Sequence, residues 1–201
     1  MAPHPMSLGQ HYQCPRLRGL DPVLKSWIRV LKRYYSIGDQ PWNYRERTQI
    51  GFFAAAAWLS GHVALEEWST QKGRKDARRK GRCDLWIDIA DFHIEAKHKW
   101  CIVTRGLDKE MRYIEREMSA AVNNTADLNC SKTRRLAFLF LSPCLPPHPD
   151  RDFSAELDAW LGRVYRLRHD AIAWYFPVRR GLRSNAGGYA PVGACLLIRK
   201  P

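Results

Sequence analysis

Two carboxylates and a lysine stand close together in a segment that alternates between apolar and polar residues. Residues 83–100 form two alternating stretches that meet at Ala90-Asp91, a pattern that predicts a β-hairpin. A two-residue turn there would place Asp84 opposite Lys97, with Glu95 beside them on the same face. The opposite face is entirely apolar and predicts a core contact; it carries Leu85, Ile87, Ile89, Phe92, Ile94 and Ala96.

Two carboxylates brought together repel each other, so their proximity is costly unless a cation lies between them. Mg²⁺ meets that need, because it takes oxygen ligands from one or two carboxylates and fills its other positions with water and phosphate oxygens. Such an ion lowers the pKa of a bound water, and a nearby lysine can stabilise the hydroxide. The cluster therefore predicts a site for phosphate-ester hydrolysis.

The order of these residues resembles the PD-(D/E)xK motif of restriction endonucleases and their relatives. Asp84 is followed, after ten residues, by Glu95-Ala96-Lys97, and Cys83 stands where the motif's name has proline. The resemblance covers residues 44–142 and implies a restriction endonuclease-like core. It implies a metal site made by Asp84, Glu95 and the Ala96 carbonyl, with Lys97 positioning the nucleophile. It also implies a further carboxylate on the helix before the first core strand, where Glu46 lies.

The resemblance predicts a Mg²⁺-dependent nuclease that hydrolyses phosphodiester bonds, with Mn²⁺ as the alternative ion. DNA is preferred over RNA as the substrate on the analogy with the family alone. Two other functions stay open: a non-catalytic nucleic-acid-binding protein that keeps the nuclease fold, and a basic inhibitor or immunity factor that binds an acidic protein. A homodimer or a partner protein is compatible with each of them.

Each of these residues also has a structural interpretation. The three hairpin residues could form exposed cross-strand charge pairs, each worth only about 0.2–1 kcal/mol. Asn43 and Glu46 have the spacing of a capping box, in which the glutamate bonds backbone amides at a helix start. Glu66 or Glu67, on the preceding strand, could supply the third carboxylate instead of Glu46.

A basic run lies between the strand predicted at residues 62–69 and the strand of Asp84. It is interpreted as a solvated loop that emerges beside the metal site and clamps phosphates without reading sequence. The predicted nucleic-acid-binding residues of the basic run are Lys72, Arg74, Lys75, Arg78, Arg79, Lys80 and Arg82. Five more arginines could extend this track: Arg134, Arg135, Arg179, Arg180 and Arg183.

The charge balance also indicates an anionic partner. The 201 residues include 33 Lys and Arg against 20 Asp and Glu, a formal net charge of +13. Nucleic acid or a membrane surface are the usual partners of such a chain.

The longest apolar stretch, residues 50–59, is too short to span a bilayer. With no secretion signal and no C-x-x-C pair among six cysteines, the sequence predicts a soluble, cytoplasmic protein without a membrane partner and with reduced thiols.

The elements that must position the site follow from hydrophobic periodicity. The pattern predicts helices near residues 21–38, 44–59, 108–122 and 157–164, and strands at 62–69, in the 83–100 hairpin, and at 136–142, 171–178 and 194–199. This order predicts an α/β fold with a mixed central sheet flanked by helices. We expect one domain over residues 1–201, with an irregular arm at 1–19, the nuclease-like core at 44–142 and a C-terminal helix and strands at 150–201.

Overall fold

The computed structural model describes residues 8–73, 79–104, 106–148, 150–177 and 188–201. Its helices are α1 Asp21–Ser36, α2 Glu46–Leu59, α3 Leu107–Thr125 and α4 Ser154–Val164. Its strands are β1 Leu8–Tyr12, β2 Ala64–Lys72, β3 Arg79–Ile87, β4 Phe92–Ile102, β5 Arg135–Leu145, β6 Ala171–Tyr175, β7 Ala190–Pro191 and β8 Ala194–Arg199. All four predicted helices are present, and each predicted strand lies within or overlaps an observed one.

The strands form one open sheet. Seven of them follow the order β1-β6-β8-β5-β4-β3-β2, and β7 pairs with β5 beside them. The β4–β5 pair is parallel, whereas the other pairs in the described residues are antiparallel. The predicted α/β fold, with a mixed sheet flanked by helices, is confirmed.

Helices cover both faces of this sheet. On one face, α1 and α2 pack over a hydrophobic core that includes Leu136, Phe138 and Phe140 of β5. On the other face, α3 and α4 pack over a second core that includes Leu139 and Leu141 of the same strand. Because both of its faces are buried, β5 is a continuous apolar run rather than an alternating one.

The start of the chain is more ordered than predicted. The arm at residues 1–19 was expected to be irregular, but Leu8–Tyr12 forms a strand and Pro15–Leu20 forms a 3-10 turn; residues 1–7 lie outside the described residues. The strand pairs with the edge of β6, which satisfies its backbone groups. At Gly9 a Cβ would lie 2.3 Å from the indole of Trp174, so only glycine admits that ring. This strand therefore forms because it pairs with β6, and the local sequence pattern does not predict it.

The predicted cap of α2 is absent. Asn43 belongs to a 3-10 turn that begins at Pro41, and α2 begins at Glu46 after Arg45 without a side-chain cap. The turn is held instead by Gln49, whose Nε2 donates to the carbonyl of Pro41 at 2.6 Å. The capping-box interpretation of Asn43 and Glu46 is therefore wrong.

Two further expectations concern the whole chain. No helix in the described residues is long and apolar enough to cross a membrane. All six cysteines are free thiols. Four of them are buried, where a thiol packs as a small apolar side chain: Cys83, Cys101, Cys144 and Cys195.

Candidate active site

The hairpin that carries the candidate residues has a longer turn than predicted. Its register pairs Leu85 with Ile94 and Ile87 with Phe92, so residues 88–91 form the turn and Asp84 does not lie opposite Lys97. A 3-10 turn with positive φ angles at Ala90 and Asp91 takes up the extra residues. The error is two residues, and because side chains alternate, an even shift leaves every residue on its predicted face. The apolar face lies in the first core, as predicted.

Asp84 is held in place by the backbone of the neighbouring strand. Its Oδ2 accepts a hydrogen bond from the Ala96 amide at 2.7 Å, beyond the last ladder pair, Leu85 and Ile94. Extended by one pair, the register would place Asp84 opposite Glu95, and the charge of Asp84 does raise the pKa of Glu95. Burial raises the pKa of Asp84, although the Ala96 amide opposes this shift. The carboxylate is therefore fixed at the middle residue of the Glu95-Ala96-Lys97 motif.

Glu95 is almost completely buried and bears an ion pair. It is 3% exposed, and its Oε1 lies 2.7 Å from the Nζ of Lys72 at the end of β2. Burial, and then the nearby charge of Asp84, raise the pKa of Glu95 to about 7 despite the ammonium of Lys72. The raised pKa of Glu95 thus reflects burial first, and repulsion by a second carboxylate adds to it.

Lys72 reaches Glu95 because β3 leaves room for it. At Gly81 of β3 a Cβ would lie 2.8 Å from the Cγ of Lys72, so the lysine stem passes over the bare backbone of the glycine. The end of β2 is anchored by the Gly73 amide, which donates to the Asp127 carbonyl at 3.0 Å. Lys72 was predicted to lie on a solvated loop, and that prediction is wrong. It lies on a strand and points into the site.

Lys97 is paired with the first residue of α2. Its Nζ lies 3.8 Å from Oε2 of Glu46, and both side chains are about one-third exposed. Glu46 also accepts a hydrogen bond from the His98 amide, while burial and the charge of Asp84 raise its pKa. The start of α2 thus brings a third carboxylate to the edge of the hairpin, where the resemblance predicts one.

The other two candidate carboxylates point elsewhere. Glu67 lies across from Asp84 on β2 but has a positive φ of 52°, and its Oε2 bonds to Arg82 at 2.7 Å. Glu66 lies toward α2, where its carboxylate oxygens would be 3.6 Å and 3.8 Å from a Cβ at Gly51. Glu67 still raises the pKa of Asp84 through its charge. Glu46 is the third carboxylate that the structure pairs with a candidate residue.

The site brings together more carboxylates than ammonium groups, although the protein as a whole is basic. Three carboxylates, all with raised pKa values, face two ammonium groups. The Ala96 amide points toward Asp84, and in a strand the carbonyl of a residue points to the same side as its amide. Asp84, Glu95 and the Ala96 carbonyl could therefore supply three oxygens to one ion.

That donor set suits a hard divalent cation. Among the described residues, no group of three or more His, Cys, Asp or Glu side chains is arranged to hold a metal. A site here would use two carboxylates and a backbone carbonyl, and would leave its remaining positions to water and substrate oxygens. Mg²⁺ is commonly bound in that way.

The other members of the basic run have different surroundings. Arg74, Lys75 and Arg78 lie outside the described residues, as do Arg179, Arg180 and Arg183. Arg79, Lys80 and Arg82 were predicted to lie on a loop but lie on β3, because the hairpin of β2 and β3 continues through charged residues. Arg79 is 3.8 Å from Asp127, and both side chains are largely exposed. Of the predicted extension, Arg134 pairs with Asp91 and Arg135 donates to the Cys130 carbonyl.

Sequence reasoning placed Lys72 among phosphate ligands and did not assign it to the metal site. The available signal was Gly81, the single glycine on the Asp84 strand, which marks a close approach of another group.

His98 proves to be structural: its Nε2 lies 3.0 Å from Ser142 Oγ, which itself donates to the Trp42 carbonyl. Burial lowers the pKa of His98 to about 4, so the ring is neutral near pH 7.

Comparison with known proteins adds no relative to this picture. No protein-family model, curated protein or solved structure matches the chain. The case for a function therefore depends on the site itself and on the resemblance of its residues to the PD-(D/E)xK motif.

Proposed function

We propose that this chain is a metal-dependent nuclease whose ion is held by Asp84, Glu95 and the Ala96 carbonyl. The observation that carries the proposal is the bond from the Ala96 amide to Asp84, which joins the aspartate strand to the Glu95-Ala96-Lys97 strand at 2.7 Å. It holds Asp84 against the backbone of the residue that follows Glu95, although ten residues separate the two acids in the sequence. Mg²⁺ is the proposed ion, and Mn²⁺ is the alternative.

Each side chain has a defined task in this proposal. A bound divalent ion would lower the pKa of a coordinated water and neutralise charge that develops on the phosphate. The Ala96 amide orients Asp84 and favours its charged form. Lys97, at 3.8 Å from Glu46, presents an ammonium that stabilises the attacking hydroxide and the pentavalent phosphate. Glu46 positions Lys97 and keeps its ammonium beside the acids.

The substrate class follows from charge. The formal net charge of +13 attracts polyanions, and the three carboxylates of the site are few compared with the basic residues of the whole chain. A phosphodiester is the polyanion whose hydrolysis uses this combination of two acids, a lysine and a divalent ion. We propose DNA as the substrate, by analogy with the PD-(D/E)xK family.

The test uses the whole purified chain with supercoiled plasmid, linear duplex, single-stranded DNA and RNA, in Mg²⁺, Mn²⁺ or EDTA. We expect cleavage that requires metal and that falls by about 10²–10³-fold in Asp84→Asn and in Lys97→Met, since each removes a charged group at the reacting phosphate. Asp88→Asn is the matched control, because Asp88 lies in the turn of the same hairpin and pairs with His62 at 3.1 Å. Cleavage that persists in EDTA or in Asp84→Asn would refute the proposal.

One observation favours a second candidate, a nucleic-acid-binding protein without catalysis. The Nζ of Lys72 lies 2.7 Å from Glu95 and already supplies a cation to it. In that case, Lys72 permanently replaces the metal. The protein would then bind nucleic acid equally in Mg²⁺ and in EDTA and would cut none of the substrates.

A further inference from the structure

The exposed face of α3 carries a cluster of positive charge around a tyrosine. Lys109, Arg112, Tyr113 and Arg116 line a cleft of about 300 Å³. Their spacing of three or four residues places them on one side of the helix. Lys99, from the adjacent strand β4, joins them. We call these five residues the α3 cluster.

The tyrosine ring gathers the cations. The Nζ of Lys99 lies 5.1 Å from the ring centroid of Tyr113, and the guanidinium carbon of Arg116 lies 4.9 Å from it. Lys109 is the third, at 6.0 Å. Each contact of this kind is worth roughly 0.5–1 kcal/mol at an exposed site. The ring therefore holds several charges close together that would otherwise move apart.

Helix stability does not explain this arrangement. Like charges three or four residues apart destabilise a helix by about 0.2–0.5 kcal/mol for each pair. Within the described part of the chain, no carboxylate lies within ion-pair distance of Lys99, Lys109 or Arg112. Arg116 has only a long, exposed contact of 3.5 Å with Glu117. Apart from that pair, the cluster has no ion-pair partner in the described part of the chain, and this fits an anionic ligand.

The α3 cluster is continuous with the candidate active site. Lys99 follows Lys97 by two residues on β4, so both point to the same face, about 6.6 Å apart along the strand. From α3, Glu117 is close enough to raise the pKa of Glu46. A strand of nucleic acid that reaches Lys97 would therefore pass directly onto the cluster.

We propose that the α3 cluster binds the phosphate backbone of the nucleic acid on one side of the cleavage site. The inference rests on the proposed function, because it names the surface that holds the substrate of that same site. The contacts are to phosphates, so they supply affinity and orientation but do not read sequence. Successive phosphates explain why the cations form a row that begins at Lys97, whereas an acidic protein would not require continuity with that residue.

The test measures binding to labelled duplex and single-stranded DNA in EDTA, over a range of salt concentrations. In the cluster variant, three cations are neutralised: Lys109→Gln, Arg112→Gln and Arg116→Gln. The matched control neutralises three exposed cations of α1, on the opposite face of the sheet: Arg29→Gln, Lys32→Gln and Arg33→Gln. Both variants lower the net charge equally, so a difference between them reports position rather than total charge.

We expect the cluster variant to weaken binding at least tenfold and to lower the salt slope for duplex DNA by about 2–3, since each phosphate contact contributes about 0.9. The α1 variant should keep most of the slope. Tyr113→Leu should weaken binding severalfold, whereas Tyr113→Phe, which keeps the aromatic ring, should not. Equal losses in both triple variants, or an unchanged slope in the cluster variant, would overturn the inference.

Two further arms separate the possible failures. If the cluster variant loses affinity for polyglutamate but keeps its affinity for DNA, the cluster binds an acidic protein and the inference is wrong. Because binding is measured without metal, it is independent of catalysis. DNA binding that depends on the cluster, in a protein that never cuts, would support the interface and refute the nuclease. If the wild-type protein cuts DNA but the cluster variant keeps an unchanged salt slope, the nuclease is supported and the interface is refuted.

Discussion

Lys72 gives the sharpest prediction, because its ammonium and the proposed metal would use the same carboxylate. Its Nζ is 2.7 Å from Glu95, and the two side chains are 17% and 4% exposed. Removing one partner of a buried pair leaves an uncompensated charge and costs about 3–5 kcal/mol. We therefore expect Lys72→Met, which keeps the length of the side chain, to lower the free energy of unfolding by about 3 kcal/mol at pH 8 without metal.

Metal should reverse that loss. To bind an ion, the wild-type protein must first separate Lys72 from Glu95, whereas the variant presents a free carboxylate. If the full 3 kcal/mol is regained, the variant binds metal up to about 100-fold more tightly than the wild type, since 1.4 kcal/mol corresponds to tenfold. Mg²⁺ and Mn²⁺ should therefore raise the melting temperature of Lys72→Met more than that of the wild type.

The assay is a titration of Mn²⁺ and Mg²⁺ into nucleic-acid-free protein, followed by calorimetry and by thermal denaturation. Lys72→Arg keeps the charge and serves as one control. Lys80→Met, on the exposed part of β3 opposite Gln71, serves as the other, because it removes a lysine from the same hairpin away from Glu95. Equal or weaker metal binding by Lys72→Met would refute the idea that the ammonium and the ion compete.

Three more predictions test other features of the fold. Gly81→Val should displace the stem of Lys72 and reproduce the gain in metal affinity, with a stability loss of about 1–3 kcal/mol measured by chemical denaturation. Glu67→Gly should raise the free energy of unfolding by about 0.5–1 kcal/mol, because it relieves a φ of 52° and loses only the exposed pair with Arg82. Burial lowers the pKa of His169, so the unfolded chain binds more protons than the folded one as pH falls below about 6.5. Stability should fall over that range, and His169→Gln should reduce this loss without abolishing it, because burial also lowers the pKa of His98.

The hairpin shows how far the sequence predicts this site. Alternation alone assigned Asp84, Glu95 and Lys97 to one face, and that assignment is independent of turn length provided the shift is even. The turn itself was mistaken, since Ala90 and Asp91 adopt positive φ angles that no local glycine indicates. The common face of Asp84 and Glu95 could therefore be predicted from the sequence. Their positions along the two strands could not, because they depend on the length of the turn.

Contacts between segments that are distant in the sequence could not be predicted from the local sequence pattern. Leu8–Tyr12 forms a strand because β6 offers an unpaired edge, and its own sequence has little strand propensity. Lys72 belongs to a charged stretch that is typical of a loop, but Gly81 makes a path for its side chain. Secondary-structure propensity is a property of one segment. Whether Leu8–Tyr12 forms a strand and where the Lys72 side chain lies depend on the neighbouring strand.

The same contacts decide how an ion would reach the site. The end of β2 is fixed by pairing of Lys72 with Arg79 and by the bond from Gly73 to Asp127, so its backbone does not need to open. The lysine stem is long and flexible, and its ammonium can leave Glu95 by rotation of the side chain alone. Metal binding would then release a cation beside the position of the scissile phosphate. Under the proposed function, the ammonium that pairs with Glu95 in the metal-free protein would then be free to bind that phosphate.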